Sequence, residues 1–155
     1  MNFSRHLKPG GYLELQDVCF PGFCHDPTKI ATSRYIVYNN LLVEAGNRIG
    51  LDFQAPRKWH EWLQAAGFDD IHVKWVNWPV GPWAKTKKNK ILGQLTRMDF
   101  YEGMNSSAPL LSKVLGKTPK EIEILVAETS NEFREQKVHL FQQICFCYAR
   151  KPEKP

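Results

Sequence analysis

Reactive side chains are few in this chain of 155 residues: five histidines, four cysteines and a scatter of carboxylates. Cys19 and Cys24 flank four residues and run into His25, while Cys145 and Cys147 stand one residue apart near the other end. Neither pair has the C-x-x-C spacing of a zinc site. Cys19, Cys24 and His25 make three ligands at most, and Cys145 and Cys147 lie in an apolar run where a free thiol packs as a small hydrophobe, so no metal is expected. Glu14 and Gln16 share one face of a strand and Asp17 takes the other, so they form no carboxylate pair and serve hydrogen bonding near a helix or a partner. His60 follows Trp59 on a helix and should face solvent. His139 stands before the last apolar segment, where a structural hydrogen bond is as good a use for it as a site. Lys85, Lys87, Lys88 and Lys90 have neither interleaved aromatics nor a second basic cluster, and read as a solvated face.

These residues must be positioned by a short series of elements. Lys8-Pro9-Gly10-Gly11 is a turn, and Tyr12–Cys19 alternates over its first half as a strand does, closed by Pro21-Gly22. Asp26-Pro27 reads as an N-cap with proline at the first helical position, and apolar residues recur at helical spacing to about Asn47. Pro56 opens a shorter helix whose Trp59, Trp62, Leu63 and Ala66 predict one aromatic face on a core, with Gly67 as its stop. Ile71, Val73 and Trp75 alternate with polar residues in a second strand. Helical segments are expected over about 90–102 and 109–115. Thr118-Pro119-Lys120-Glu121 is a capping box for a helix to about Gln136, and Leu140–Ala149 is a buried strand. The order is that of an α/β protein, with a sheet small for its class.

Composition bounds the rest. Hydrophobic residues make up 43%, aromatics 12% and charged residues 24%, which excludes disordered and collagen-like chains. The formal charge of +5 permits nucleic acid without indicating it, so no nucleic-acid partner is expected. No run approaches the 18 or so apolar residues of a membrane span, and Met1–His6 lacks a signal-peptide core; no membrane association is expected, and the cytoplasm or nucleus is the expected compartment. Five Trp and nine Phe either fill a core or line a pocket for a flat organic ligand.

Leu7-Lys8-Pro9-Gly10-Gly11-Tyr12-Leu13-Glu14 resembles the turn into the fifth strand of class I S-adenosylmethionine-dependent methyltransferases. Trp59…Leu63-Gln64-Ala65-Ala66-Gly67-Phe68, the Pro79-Val80-Gly81-Pro82-Trp83 loop with its lysines and Gly93, and the ending His139-Leu140-Phe141…Tyr148-Ala149-Arg150-Lys151-Pro152 extend the likeness. Over nearly the whole chain it resembles the C-terminal half of the fungal LaeA-like methyltransferases, a family associated with secondary-metabolite clusters. Ala84-Lys85-Thr86 departs from the proline and acidic residue common after that tryptophan.

The resemblance implies a Rossmann-like α/β fold in which residues 12–19 are the fifth strand, 71–78 the sixth and 140–149 an antiparallel seventh between them. It implies a partial methyltransferase domain over 1–152, a charged tail over 153–155, and absence of the cofactor-binding half, since the chain carries no G-x-G turn to hold S-adenosylmethionine. For the acceptor side it points to Tyr38, Asn39, Trp78, Trp83 and Phe100 as lining residues, with a packed core as the alternative use of Tyr38 and Phe100. His25, after the fifth strand at the end where α/β folds bind ligands, is the expected base, with a solvated loop position as its alternative. The function implied is methyl transfer to a small molecule once a cofactor half is supplied. Two alternatives stay open: a non-methylating pseudoenzyme or interaction module, and a dimeric cyclase or isomerase with an aromatic pocket. A homodimer or partner chain is expected along the edge of strand 12–19.

Overall fold

The computed structural model describes residues 6–153. Met1–Arg5 and the last two residues lie outside that range, and with them most of the N-terminal segment and the end of the tail read above. The elements are β1 (Tyr12–Cys24), α1 (Pro27–Ile30), α2 (Arg34–Arg48), a 3-10 turn (Ala55–Lys58), α3 (Trp59–Ala65), β2 (Asp69–Val80), α4 (Lys87–Leu115), α5 (Pro119–Glu135) and β3 (Leu140–Arg150). The fold is α/β: one three-stranded sheet in the order β1-β3-β2 with flanking helices. β3 lies between the other two and is antiparallel to both, as the resemblance implies. Cys24, the last residue of β1, and Val80, the last of β2, both pair with Leu140. The carboxyl ends of two strands therefore meet at the entrance to the third.

The two sheet faces have separate cores. Trp59, Leu63 and Phe68 close over Cys145, Cys147 and Ala149, flanked by Leu13, Leu15, Ile71 and Val73. Tyr35, Tyr38, Leu42, Met104, Leu111 and Phe133, from α2, α4 and α5, pack with Leu140 and Val80 on the other face. Trp62 departs from the expected aromatic stripe: it is 38% exposed, with the Lys58 ammonium 5.9 Å from its ring centroid. In a helix of seven residues, Trp59 and Leu63 suffice to span the core.

β1 does not stop at Pro21-Gly22. Its register shifts between Cys19 and Phe23 and the strand resumes to Cys24. The irregular stretch is held by side chains: Gln142 Nε2 donates to Cys19 O at 2.7 Å and Gly22 N–H donates to Asn39 Oδ1 at 3.0 Å, both buried. Gly22 is required there because a Cβ would lie 2.5 Å from the Tyr35 ring. On the outer edge, Val18 N–H donates to Asp17 Oδ1 (2.7 Å) and Phe20 N–H to Phe53 O (3.1 Å). By the alternation of an antiparallel ladder, the even-numbered residues Glu14 and Gln16 also turn their backbone to that edge.

The single helix expected after Asp26 is two. Asp26 caps only the four residues of α1, and α2 restarts behind Ser33, whose hydroxyl accepts from Ile36 N–H. A tertiary contact sets this restart: Glu132 of α5 accepts from Ser33 O–H and from Tyr35 N–H at 2.9 Å, placing a carboxylate at the N-terminus of α2. The two helical segments expected over 90–115 are one helix that runs through Pro109. The capping box at Thr118 and Glu121 forms as read. Among the described residues, no helix is long and apolar enough to cross a membrane.

Candidate functional site

Where β1 and β2 end against Leu140, the chain forms a cleft of about 250 Å³. His25 follows β1, Trp83 stands in the turn after β2, and His139 precedes β3, so all three expected elements contribute one ring. Phe141 is the hub. It touches His25 edge-on at 4.8 Å between centroids and Trp83 edge-on at 4.7 Å, and stacks on Phe23 at 5.3 Å. Trp83 is fixed twice: its indole N–H donates to Leu140 O at 3.2 Å, and His139 stacks on it at 4.5 Å with 12° between the planes. The His25 imidazole is exposed and its nitrogens have no hydrogen-bond partner among the described residues. Asp26, its neighbour, is a weaker base than an ordinary carboxylate, because its Oδ1 accepts from Thr28 O–H (2.6 Å) and Thr28 N–H (2.9 Å), which hold its pKa below the usual range.

The remaining expected residues lie elsewhere. Tyr38, Asn39 and Phe100 line a second cavity of about 270 Å³ between β1, α2 and α4, and it shares no lining residue with the cleft. Tyr38 is 1% exposed; its hydroxyl donates to Met104 O at 2.7 Å and lies 2.8 Å from Ser107 Oγ. Burial pushes this phenol up against the opposing Ser107 hydrogen bond, so it serves as a donor. Asn39 is committed on both sides, to Gly22 N–H and to Tyr35 O. Phe100 packs edge-on against Phe20 and Tyr35. Trp78, opposite Gln142 in the ladder, lines neither cavity. The structure thus unites His25 with Trp83 and separates both from Tyr38, Asn39 and Phe100. Phe23 and Phe141 were missed by the sequence reading; the signal was an aromatic two residues after His139, on the same strand face.

Cys145 and Cys147, at 0% and 1% exposure, sit in the core beneath α3, and burial pushes the Cys145 thiol up to about 11. Lys85, Lys87, Lys88 and Lys90 are all exposed. Among the described residues, no group of three His, Cys, Asp or Glu side chains is placed to hold a metal ion.

S-adenosylmethionine, the cofactor of the resembled family, finds no fitting set among these residues. β1 leads into a single helical turn capped by Asp26, and β2 into a five-residue connection before Thr86 caps α4; neither is a glycine-rich turn opening directly onto a long helix. The buried polar side chains Ser33, Asn39, Thr96, Thr129 and Gln142 are all committed to internal hydrogen bonds.

No family model matches the chain. Curated fungal proteins do. "Methyltransferase pytC" of Aspergillus terreus is 33% identical over 148 residues, covering 95% of this chain and 46% of that protein. "Probable methyltransferase tdiE" of Emericella nidulans is 29% identical over 150 residues, 96% of this chain and 47% of the relative. "Secondary metabolism regulator laeA" of Gibberella zeae is 25% identical over 158 residues, 99% and 50% respectively. The chain spans about half the length of the curated relatives it matches. With the α/β sheet in place, the chain is similar over nearly its whole length to the C-terminal half of fungal methyltransferases and LaeA-type secondary metabolism regulators.

Proposed function

We propose that this chain supplies the acceptor-binding part of a methyltransferase of fungal secondary metabolism, and that the cleft at the carboxyl ends of β1 and β2 takes the acceptor. The observation that carries this reading is the convergence of His25 and Trp83 on Phe141 at the sheet end where α/β proteins bind ligands. The names of the relatives support the reaction class. Trp83, Phe141 and His139 give a flat acceptor faces and edges to stack on, and the two contacts on Trp83 hold that wall without help from the ligand. His25, whose nitrogens have no hydrogen-bond partner among the described residues, takes the proton of an acceptor hydroxyl at an imidazole nitrogen. The methyl donor is held by residues other than those described here, so methylation requires a cofactor-holding half in company with this chain.

Two titrations test this. 2-Naphthol should quench tryptophan fluorescence saturably; Trp83→Ala should abolish the effect and His25→Gln should leave it intact, since His25 acts on the proton and not on binding. Calorimetry with S-adenosylmethionine should show no binding. Naphthol binding indifferent to Trp83→Ala overturns the assignment of the cleft, and micromolar S-adenosylmethionine binding overturns the argument from the missing cradle.

A second reading rests on the outer edge of β1. Glu14 and Gln16 turn backbone groups outward where another strand can pair, and some relatives are named as secondary metabolism regulators and not as methyltransferases. On this reading two copies join along residues 12–19. Light scattering should find a dimer that Gln16→Pro dissociates by deleting an outward N–H, and a monomer at all concentrations overturns it.

A further inference from the structure

The second cavity carries an assignment of its own. Its walls are aromatic: Phe20 meets Phe53 at 5.6 Å and Phe100 at 6.0 Å, and Phe100 meets Tyr35 at 5.4 Å, all near edge-on. Every polar group on those walls but one is spent internally. Tyr35 O–H donates to Gln142, Tyr38 and Ser107 bond to each other and to α4 carbonyls, and Asn39 holds Gly22. The exception is Asp99, the sole charged residue lining the cavity, exposed and with neither an ion pair nor a hydrogen bond among the described residues.

Gly103 is the second observation. It lines the same cavity inside the 29-residue helix α4, where glycine costs about 1 kcal/mol relative to alanine. Close packing does not demand it, because a Cβ at this position meets nothing within 4 Å. Gly93 on the same helix is the contrast: a Cβ there would stand 2.0 Å from Gly81 O. Glycine at 103, an exposed position on the cavity wall, is therefore not required by packing.

We propose that this cavity is a second ligand site, taking a small arylalkyl ammonium ion with its ring among Phe20, Phe53 and Phe100 and its ammonium at Asp99. An organic cation fits better than a neutral or anionic molecule because the one unspent polar group is a carboxylate and the surrounding ring edges and faces favour an apolar body. At about 270 Å³ the cavity admits one ring and a short amine arm.

The test uses 2-phenylethylamine, 2-phenylethanol and 3-phenylpropanoate, with backbone amide shifts of the labelled protein as the readout. The amine should bind saturably, with shifts centred on Asp99, Phe100 and Gly103. The alcohol should bind at least fivefold more weakly and the acid not at all. Asp99→Asn should remove the preference for the amine over the alcohol. Gly103→Leu should fill the cavity and abolish binding of both while the helix gains stability. Equal binding of amine and alcohol to the native chain overturns the proposal, as does an amine affinity unchanged by Asp99→Asn, or shifts centred on the wider groove between α4 and α5 near Glu123. The native-chain comparison and Asp99→Asn decide the matter even if Gly103→Leu fails to fold.

Discussion

Replacing Asn39 with leucine should cost about 2 kcal/mol, because this side chain supports a strand from within a helix. Asn39 Oδ1 accepts from Gly22 N–H at 3.0 Å and its amide donates to Tyr35 O at 2.8 Å, all buried. Leucine of similar size leaves little cavity but strands Gly22 N–H away from water, at about 1–3 kcal/mol. The Tyr35 carbonyl loses less, since it also closes a helical turn. Leucine's better helix propensity returns a few tenths of a kcal/mol. With a urea slope of about 2 kcal/mol/M, the unfolding midpoint should fall by about 1 M. Tyr35→Phe removes the 2.7 Å donation to Gln142 Oε1 and should cost about 1 kcal/mol. Because Gln142 also holds Cys19 O, the two changes act on one irregular stretch of β1, and the double variant should deviate from additivity by more than about 0.5 kcal/mol. A loss below about 0.5 kcal/mol for Asn39→Leu, or strict additivity, would refute the argument that this network holds the stretch from Cys19 to Phe23.

The two glycines of α4 should respond oppositely in thermal unfolding. Gly93→Ala forces a Cβ into Gly81 O and strains the Gly81 N–H to Gly93 O bond of 2.9 Å, costing about 3 kcal/mol, whereas Gly103→Ala should gain up to about 1 kcal/mol; same-signed shifts contradict the geometry. Asp26 is held below its ordinary pKa of 3.8, chiefly by the Thr28 hydroxyl and then by the Thr28 amide, so its cap is fully in place above that value and is lost as pH falls through the lowered one. An NMR titration of the Asp26 carboxyl that places its midpoint at or above 3.8 removes this support for α1. Iodoacetamide at pH 8 should leave Cys145 unmodified for hours in the folded chain and label it within minutes in urea, since burial first, and Cys147 and Cys19 after it, keep the thiolate scarce. Rapid native labelling would show that the core beneath α3 opens.

Local signals in the sequence carried most of the architecture. The capping box at Thr118, the alternation of Ile71, Val73 and Trp75, and the apolar run from Leu140 all became the elements they predict, because each rests on contacts within a few residues. The misreadings fall where distant residues decide. Pro21-Gly22 is locally a stop, yet β1 continues because Asn39 and Gln142, 17 and 120 or so positions away along the chain, satisfy its backbone. Thr28–Ile30 reads as the start of a long helix, but Glu132 caps a fresh start at Ser33. The expected site divided for a similar reason. Tyr38, Asn39 and Phe100 stand on helix faces that turn toward the middle of β1, while His25 and Trp83 stand beyond the ends of strands, and spacing within one element does not say which cavity an element borders.

The two walls of the cleft are anchored differently, and that bears on the chemistry assigned to it. Trp83 is tied to Leu140 O and to the His139 ring, both at the entrance to β3. His25 is tied to Phe23 and Phe141 through ring edges alone, at the end of a strand whose preceding stretch depends on side chains of α2 and β3. A stacking wall must keep its plane before the acceptor arrives, because orientation lost there is lost from every productive encounter. A proton acceptor needs its nitrogen unspent and within reach when the acceptor hydroxyl is in place, which ring-edge contacts allow and a fixed hydrogen bond would prevent. On the proposed reading, the rigid anchoring therefore falls on Trp83, assigned to stacking, and the freer one on His25, assigned to the proton.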